Sequence, residues 1–301
     1  MKPPPKSPPT PRLLTILAAY GAPDAAFIRR IDGILAGLGI TAHLLIVRND
    51  LPQPAASAAG IATTTIPGDN AQFEFSAWQA GITSEVARAF NPDVFLLITT
   101  AFPNAGPASM PVISPDVIRR LCAGKGMAGR VRKLPCRVPW QNTDLQSYTQ
   151  THLVLLHRAT VSALGSVVSV KSPDAFVHPR FASRPFTDHD IWAHGFDDYL
   201  FHMLTQRWHD HGMPYTEANY PFFRRKVLSI LNELTLTARV RAFNHPVLNL
   251  TPLPWLFDSP WLLPLPGRPI AVAQVIRNAI FRIIIPRGYF NGQAAQGAGD
   301  G

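Results

Sequence analysis

Three short apolar runs, LLTILAAY (13–20), HLLIVRND (43–50) and DVFLLITTAF (93–102), constrain this chain more than any other feature. None shows the alternation of a half-exposed strand, so each reads as a strand buried on both faces, as in a parallel sheet. Between the first two lies AAFIRRIDGILAGL (25–38), in which Phe27, Ile28, Ile31, Ile34, Leu35 and Leu38 keep helical spacing. Asp24 stands at its N-cap and Gly39 at its stop. Strand, helix and strand make a βαβ unit with a right-handed crossover.

The alternation continues. Residues 73–90 read as a helix, and ISPDVIRRLCAG (113–124) as a shorter one capped by Ser114 with Pro115 at its first position. VRKLPCRV (131–138) reads as an edge strand interrupted by proline, and 147–167 as a strand over 151–157 feeding a helix. Strands alternating with helices over about 160 residues argue for an α/β sheet domain, mostly parallel and flanked by helices. After Pro185 the pattern changes to two longer amphipathic helices, 188–211 and 219–243, the second carrying Leu228, Leu231 and Leu234.

The ends have a different composition. Residues 1–11 hold six prolines and two lysines and read as a disordered tail, while 291–301 read as a flexible end. The expected organisation is therefore a sheet domain over 12–185, a helical part over 186–244, and a Pro/Trp-rich, basic extension over 245–290. At 47% hydrophobic and 16% charged residues, the chain can bury a sizeable core. Cys122 and Cys136 make no disulfide framework, which suits a reducing cytoplasm. LLTILAAY follows a proline tract without a cleavage site and runs into a helix start, so it reads as a strand rather than a signal peptide.

A net charge of +9 calls for an anionic partner. Arginine outweighs lysine, which suits bidentate contacts to phosphate or carboxylate. Without zinc-ligand spacing, an RNP-like aromatic motif or a lysine-rich block, nucleic acid is not the expected partner. In the extension, Trp255 and Trp261 with Arg277, Arg282 and Arg287 fit either an anionic membrane surface, at the inner face of the membrane, or packing over the domain. The arginine spacing of five favours packing, because it holds no single helical face.

Ligands of open α/β sheets bind at the carboxyl ends of the strands. That rule selects Tyr20, Arg48 with Asp50, Thr99 with Thr100, and His157 with Arg158. Asp50 can accept from sugar or base donors and Arg48 can pair with phosphate, although Asn49–Asp50 also suits a plain turn. In GDNAQFEFSAWQAGI (68–82), Asn70 and Glu74 stand at the mouth of a helix whose Phe73, Ala77, Trp78, Gly81 and Ile82 form an apolar face. Glu74 is either a first-turn carboxylate favoured by the helix dipole or a ligand contact.

The segment NAQFEFSAWQAG resembles a motif of GT-A-type glycosyltransferase-like proteins related to rhamnan-synthesis rhamnosyltransferases, matching at Asn70, Glu74, Phe75, Ala77, Trp78 and Gly81. Gln72 and Phe73 depart from it. PDVFLLITTAF resembles the strand that follows, SYTQTHLVLLHR a later strand, matching at Gln150 and Thr151, and RKVLSILNELTLTARV a helical ending. The resemblance covers about 12–240 and implies a GT-A-like, nucleotide-sugar-binding fold. It implies transfer of a sugar from a nucleoside-diphosphate sugar to a glycan or polysaccharide acceptor, with Asn70, Glu74, Thr99, Thr100, Gln150 and Thr151 toward the donor beside the strand-end residues Tyr20, Arg48 and Asp50. It also implies a divalent metal, Mg or Mn, but this chain has Thr99 and Thr100 where the family has Asn-Asp. Threonine is a poor ligand for these hard cations. Either the metal is held elsewhere, or arginines replace it, or activity is lost; Arg130, Arg132 and Lys133 are basic residues just downstream.

In TDHDIWAHGFDDYL (187–200), Asp190, His194 and Asp198 are four residues apart, a spacing that chelates a metal or serves as surface hydrogen bonding at a helix start. Asp197 and Asp198 are the expected source of the base that deprotonates the acceptor. Glu233, in an apolar helix, is expected to form a structural ion pair with Arg239 or Arg224.

Overall fold

The computed structural model describes residues 10–21, 23, 25–50, 62–100, 113–141, 143–207 and 212–250. The chain divides into two compact units, Met1–Pro252 and Leu253–Gly301, and every described residue belongs to the first. The expectations for the two ends and for the Pro/Trp-rich extension beyond Leu250 thus lie outside the described residues.

The apolar runs form β1 (Arg12–Ala19), β2 (Thr41–Arg48) and β4 (Val94–Thr99), joined by β3 (Thr63–Pro67). With β5 (Met127–Trp140), β6 (Thr143–His157) and β7 (Val247–Asn249) they make one sheet in the order β3-β2-β1-β4-β6-β5-β7. The first four strands are mutually parallel; β6 is antiparallel to β4 and to β5, and β5 is parallel to β7. Among the described strands, then, β6 alone runs backwards. The expected mostly parallel α/β sheet flanked by helices is the one observed.

Helices cover both faces. On one side α1 (Ala25–Gly37) buries Phe27, Ile28, Ile31 and Leu35 against Leu13, Leu17, Leu44 and Leu96, together with α4 (Pro115–Gly124). Gly39, at φ 61°, ends that turn as read from the sequence. Ser114 Oγ accepts from the Val117 N–H at 3.3 Å, the cap expected beside Pro115. On the other face α2 (Glu74–Thr83), α3 (Glu85–Phe90), α5 (Arg158–Leu164) and the long α7 (Tyr220–Ala242) pack Phe75, Trp78, Leu164 and Leu236 over Leu14, Ile16, Leu45 and Leu97. A third cluster, with Val138, Leu145, Trp192, Phe196, Phe223 and Leu231, fills the space between the far ends of β5 and β6 and the helical segment.

Four elements differ from their sequence reading. The helix over 73–90 is two, because Ser84 is extended (φ −63°, ψ 159°) and its Oγ accepts from the Ala87 N–H to cap α3. The helix over 188–211 breaks into a 3-10 turn (Asp190–Gly195), α6 (Phe196–His202) and a π turn (Met203–Arg207). The break sits at His194 and Gly195, both left-handed at φ 59° and 78°. β5 lies between β6 and β7 rather than at an edge, and its register against β6 shifts between Lys133 and Val138. β6 begins at Thr143 rather than 151, and it carries a second irregularity. Pairing steps from Gly129–Val154 to Val131–Thr149, so residues 150–153 bulge opposite Arg130 alone.

Candidate functional site

The parallel strands end level with one another, since Ala18 pairs with both Val47 and Thr99. Tyr20, Asn49 and Thr100 therefore follow β1, β2 and β4 at a common height. The β6 bulge lies at the same level, because Ile98 pairs with Leu153 and Thr99 comes next. Thr99 is buried and Thr100 half-buried.

At the end of β2 the Arg48 guanidinium grips Asp50 with two bonds, Nε to Oδ1 and Nη2 to Oδ2, each 2.8 Å. Arg48 is buried and its charge is engaged by Asp50, whose carboxyl that grip, together with the Gly21 N–H, lowers to about 2. Asn49 Nδ2 donates to the Phe73 carbonyl at 3.2 Å, tying this strand end to the start of α2. A side chain at Gly68 would collide with Asn49 Oδ1, so glycine is what permits the approach.

The residues before α2 are unusual. Asn70 and Phe73 are both at φ 52°, and Phe73 has ψ −129°, a sparsely populated conformation for a bulky residue. Asn70 Oδ1 is buried without a hydrogen-bond partner among the described residues, while its carbonyl accepts from Arg225 Nη1 at 3.4 Å. The Phe73 ring has Tyr20 at 6.3 Å and Phe222 at 5.3 Å between centroids, with Arg225 Cζ at 5.5 Å and Lys226 Nζ at 5.1 Å over it. Two cations thus share one aromatic ring.

Glu74 opens α2, buried, and its Oε1 accepts from Ser229 Oγ on α7 at 3.2 Å. One turn further along α7, Glu233 Oε1 accepts from the Thr151 N–H at 2.8 Å. That N–H is available because Thr151 lies in the β6 bulge. Desolvation by burial and then the charge of Glu74 push the Glu233 carboxyl up to about 7, while the Thr151 N–H and Lys226 pull it back. The expected ion pair of Glu233 is not the one formed. Arg224 bonds Asp174, and Arg239 donates to the carbonyls of Leu164 and Ser166, because both point away along other faces of α7.

The phenols register the same field. Tyr20 is 40% exposed, yet desolvation at its hydroxyl and then Glu74 raise its pKa, against Asn49 and Arg225. Tyr148 is raised to about 12 by burial and then Glu233, and lowered by Arg132 and Arg130. The same arginines, after burial, hold the His152 imidazole down at about 4. Gln150 Oε1 is buried without a hydrogen-bond partner among the described residues.

Of the sequence-selected residues, the structure brings Tyr20, Glu74 and Thr151 into one electrostatic group, links Asn70 to it through Arg225, and sets Thr99, Thr100 and Gln150 at its level. Arg48 and Asp50 face each other. Asp197 and Asp198 lie in the first turn of α6, and no hydrogen bond or ion pair among the described residues holds either. The left-handed backbone at His194 removes the common face on which Asp190, His194 and Asp198 were to chelate. Sequence reasoning missed Arg225, Lys226 and Ser229 and gave Glu233 the wrong partner. Their signal was a polar stripe at positions 225, 229 and 233, four apart in an otherwise buried helix.

A divalent metal fits this set poorly. Among the described residues no three His, Cys, Asp or Glu side chains gather as a metal site, and the strand end offers neutral threonines. Glu74 and Glu233 are held by Ser229 and Thr151, with Lys226 acting on Glu233. No helix among the described residues is long and apolar enough to cross a membrane.

No protein-family model matches the chain. No curated protein matches it either. Among solved structures, the mannosyltransferase PcManGT from Pyrobaculum calidifontis, in complex with GDP-Man and Mn2+, is similar at 12% identity. That match covers 91% of this chain and 81% of the other, with a TM-score of 0.30. A likeness this slight assigns neither substrate nor chemistry to this chain.

Proposed function

We propose that this chain is a glycosyltransferase-like protein that moves a sugar from a nucleoside-diphosphate sugar to a hydroxyl of a glycan or polysaccharide. The observation that carries the reading is the Glu74–Glu233 pair, set at the carboxyl ends of the parallel strands. A carboxyl near 7 is matched to deprotonating an acceptor hydroxyl at neutral pH. In this scheme Glu233 takes the acceptor proton, the acceptor oxygen forms the new bond to the anomeric carbon, and the bond to the diphosphate breaks. Glu74 is the neighbour that keeps Glu233 from ionising too early, and Ser229 and Thr151 fix the two carboxylates. Tyr20 and Phe73 offer aromatic surface to the base or sugar. Asp197 and Asp198 are a second candidate for the base.

A second reading, a non-catalytic sugar-nucleotide- or glycan-binding relative, draws support from Thr99 and Thr100 at the end of β4. A panel of nucleotide sugars, assayed for donor hydrolysis and transfer with and without manganese, separates the two. Turnover of one donor supports the transferase. Stabilisation by a nucleoside diphosphate without turnover supports the binding protein. No nucleotide effect, together with binding to anionic liposomes, would contradict both and favour a basic peripheral-membrane role.

A further inference from the structure

The site combines a weak set of metal donors with a concentrated pair of cations. Arg225 and Lys226 are consecutive on α7, both half-buried, and both lie over the ring of Phe73. Arg225 acts electrostatically on Tyr20 and Lys226 on Glu233, so the two charges reach both the exposed phenol and the carboxylate pair. Phe73 itself is fixed in an unfavourable backbone conformation by Asn49 and Ser76, which both donate to its carbonyl. Strain of this kind persists only where the surroundings over-determine it. Arg225 is further anchored on the Asn70 carbonyl. The result is a preorganised, partly desolvated cationic surface, where a diphosphate is attracted more strongly than by solvated side chains.

We infer that Arg225 and Lys226, seated on Phe73, hold the diphosphate of the donor, and that these side chains rather than a divalent cation neutralise the leaving group. This rests on the nucleotide-sugar reading above and names which residues of that site do the work. As the glycosidic bond breaks, the electron pair stays on the β-phosphate oxygen, and two fixed cations offset the charge that develops there. The two are not equivalent. The Arg225 guanidinium presents a planar fork to two phosphate oxygens, whereas the Lys226 ammonium acts as a point charge.

Calorimetric titration with GDP and UDP, and with the matching nucleosides, in buffer containing EDTA tests the inference. For the wild type, binding of one diphosphate in EDTA is expected, with manganese changing its Kd little. In Arg225→Gln and in Lys226→Gln, diphosphate affinity is expected to fall by about tenfold or more, the size of a lost hydrogen bond to a charged group, with nucleoside binding unchanged. A diphosphate that binds only when manganese is added, or binds both variants as tightly as the wild type, overturns the inference and leaves the nucleotide-sugar reading standing. A wild type that binds neither diphosphate nor nucleoside overturns both. The wild-type titration with and without metal needs no substitution, so it decides whether a cation is required even if a variant folds poorly.

Discussion

Glu233 Oε1 accepts the backbone N–H of Thr151 at 2.8 Å, across 82 residues of chain. The bond exists because β6 leaves its ladder with β5 between Thr149 and Val154, freeing a donor that a regular strand would have spent on its neighbour. A single irregular step in the sheet thus fixes the carboxyl group that sits nearest neutrality.

Burial of that carboxyl makes stability depend on pH. The folded chain keeps a proton on Glu233 up to about pH 7, whereas the unfolded chain releases it near the ordinary value of 4.5. The folded state binds the extra proton within that window, so stability falls as pH rises through it. Glu233→Gln can still accept the Thr151 N–H without ionising. Its urea midpoint is expected to match the wild type at pH 4 and to exceed it at pH 8, equivalent to about 3 kcal/mol of stability. Equal midpoints at pH 8 would show that Glu233 ionises freely.

Glu74→Gln removes the negative charge that helps hold Glu233 protonated, next to Ser229, Lys226 and Tyr148. The acid limb of the pH–rate profile of transfer is expected to lie near pH 7 in the wild type and lower in the variant. An unmoved limb would separate the two carboxylates.

Trp78 and Gly81 of the resemblance motif serve packing rather than chemistry. Trp78 is fully buried and its Nε1 donates to the Ile98 carbonyl at 3.1 Å. A Cβ on Gly81 would stand 2.6 Å from Ile16 Cγ2, between α2 and β1. Gly81→Ala is therefore expected to cost about 1–3 kcal/mol in denaturant unfolding. Nucleotide affinity of the folded fraction should be unchanged.

Asn232 holds the segment after α5 beneath α7. Its Oδ1 accepts from the N–H groups of Ser169 and Val170, and its Nδ2 donates to the carbonyls of Val170 and Leu228. Asn232 is fully buried, so Asn232→Ala leaves the N–H groups of Ser169 and Val170 without this acceptor. The expected loss is about 3 kcal/mol, read from the unfolding midpoint. A loss under about 1 kcal/mol would mean that water replaces the amide.

Much of this fold is legible in the chain because burial writes itself as local pattern. The runs ending at Ala19, Arg48 and Thr99 are strands as read, and Ser114 with Pro115 starts a helix as read. What failed depended on long-range geometry or on single backbone angles. His194 has no residue type that announces φ 59°, so the metal spacing through it looked helical. Ser84 breaks a continuous apolar pattern by capping α3. Glu74 was legible as a carboxylate at a helix mouth, but its partner Ser229 is 155 residues away. Such pairings arise from the sheet order, which periodicity does not encode.

Asp197→Asn with Asp198→Asn should leave transfer near the wild-type rate if Glu233 is the base. Loss of transfer in this pair, with full activity in Glu233→Gln, would move the base to the first turn of α6.

The most direct test of the central claim compares Glu233→Gln with the wild type in single-turnover transfer from the donor that the panel identifies, with diphosphate affinity measured alongside. The rate is expected to fall by about 10²–10⁴-fold, the usual contribution of a positioned general base, with diphosphate affinity retained. A rate equal to the wild type's would contradict the claim that Glu233, held by Thr151 and Glu74, carries the chemistry.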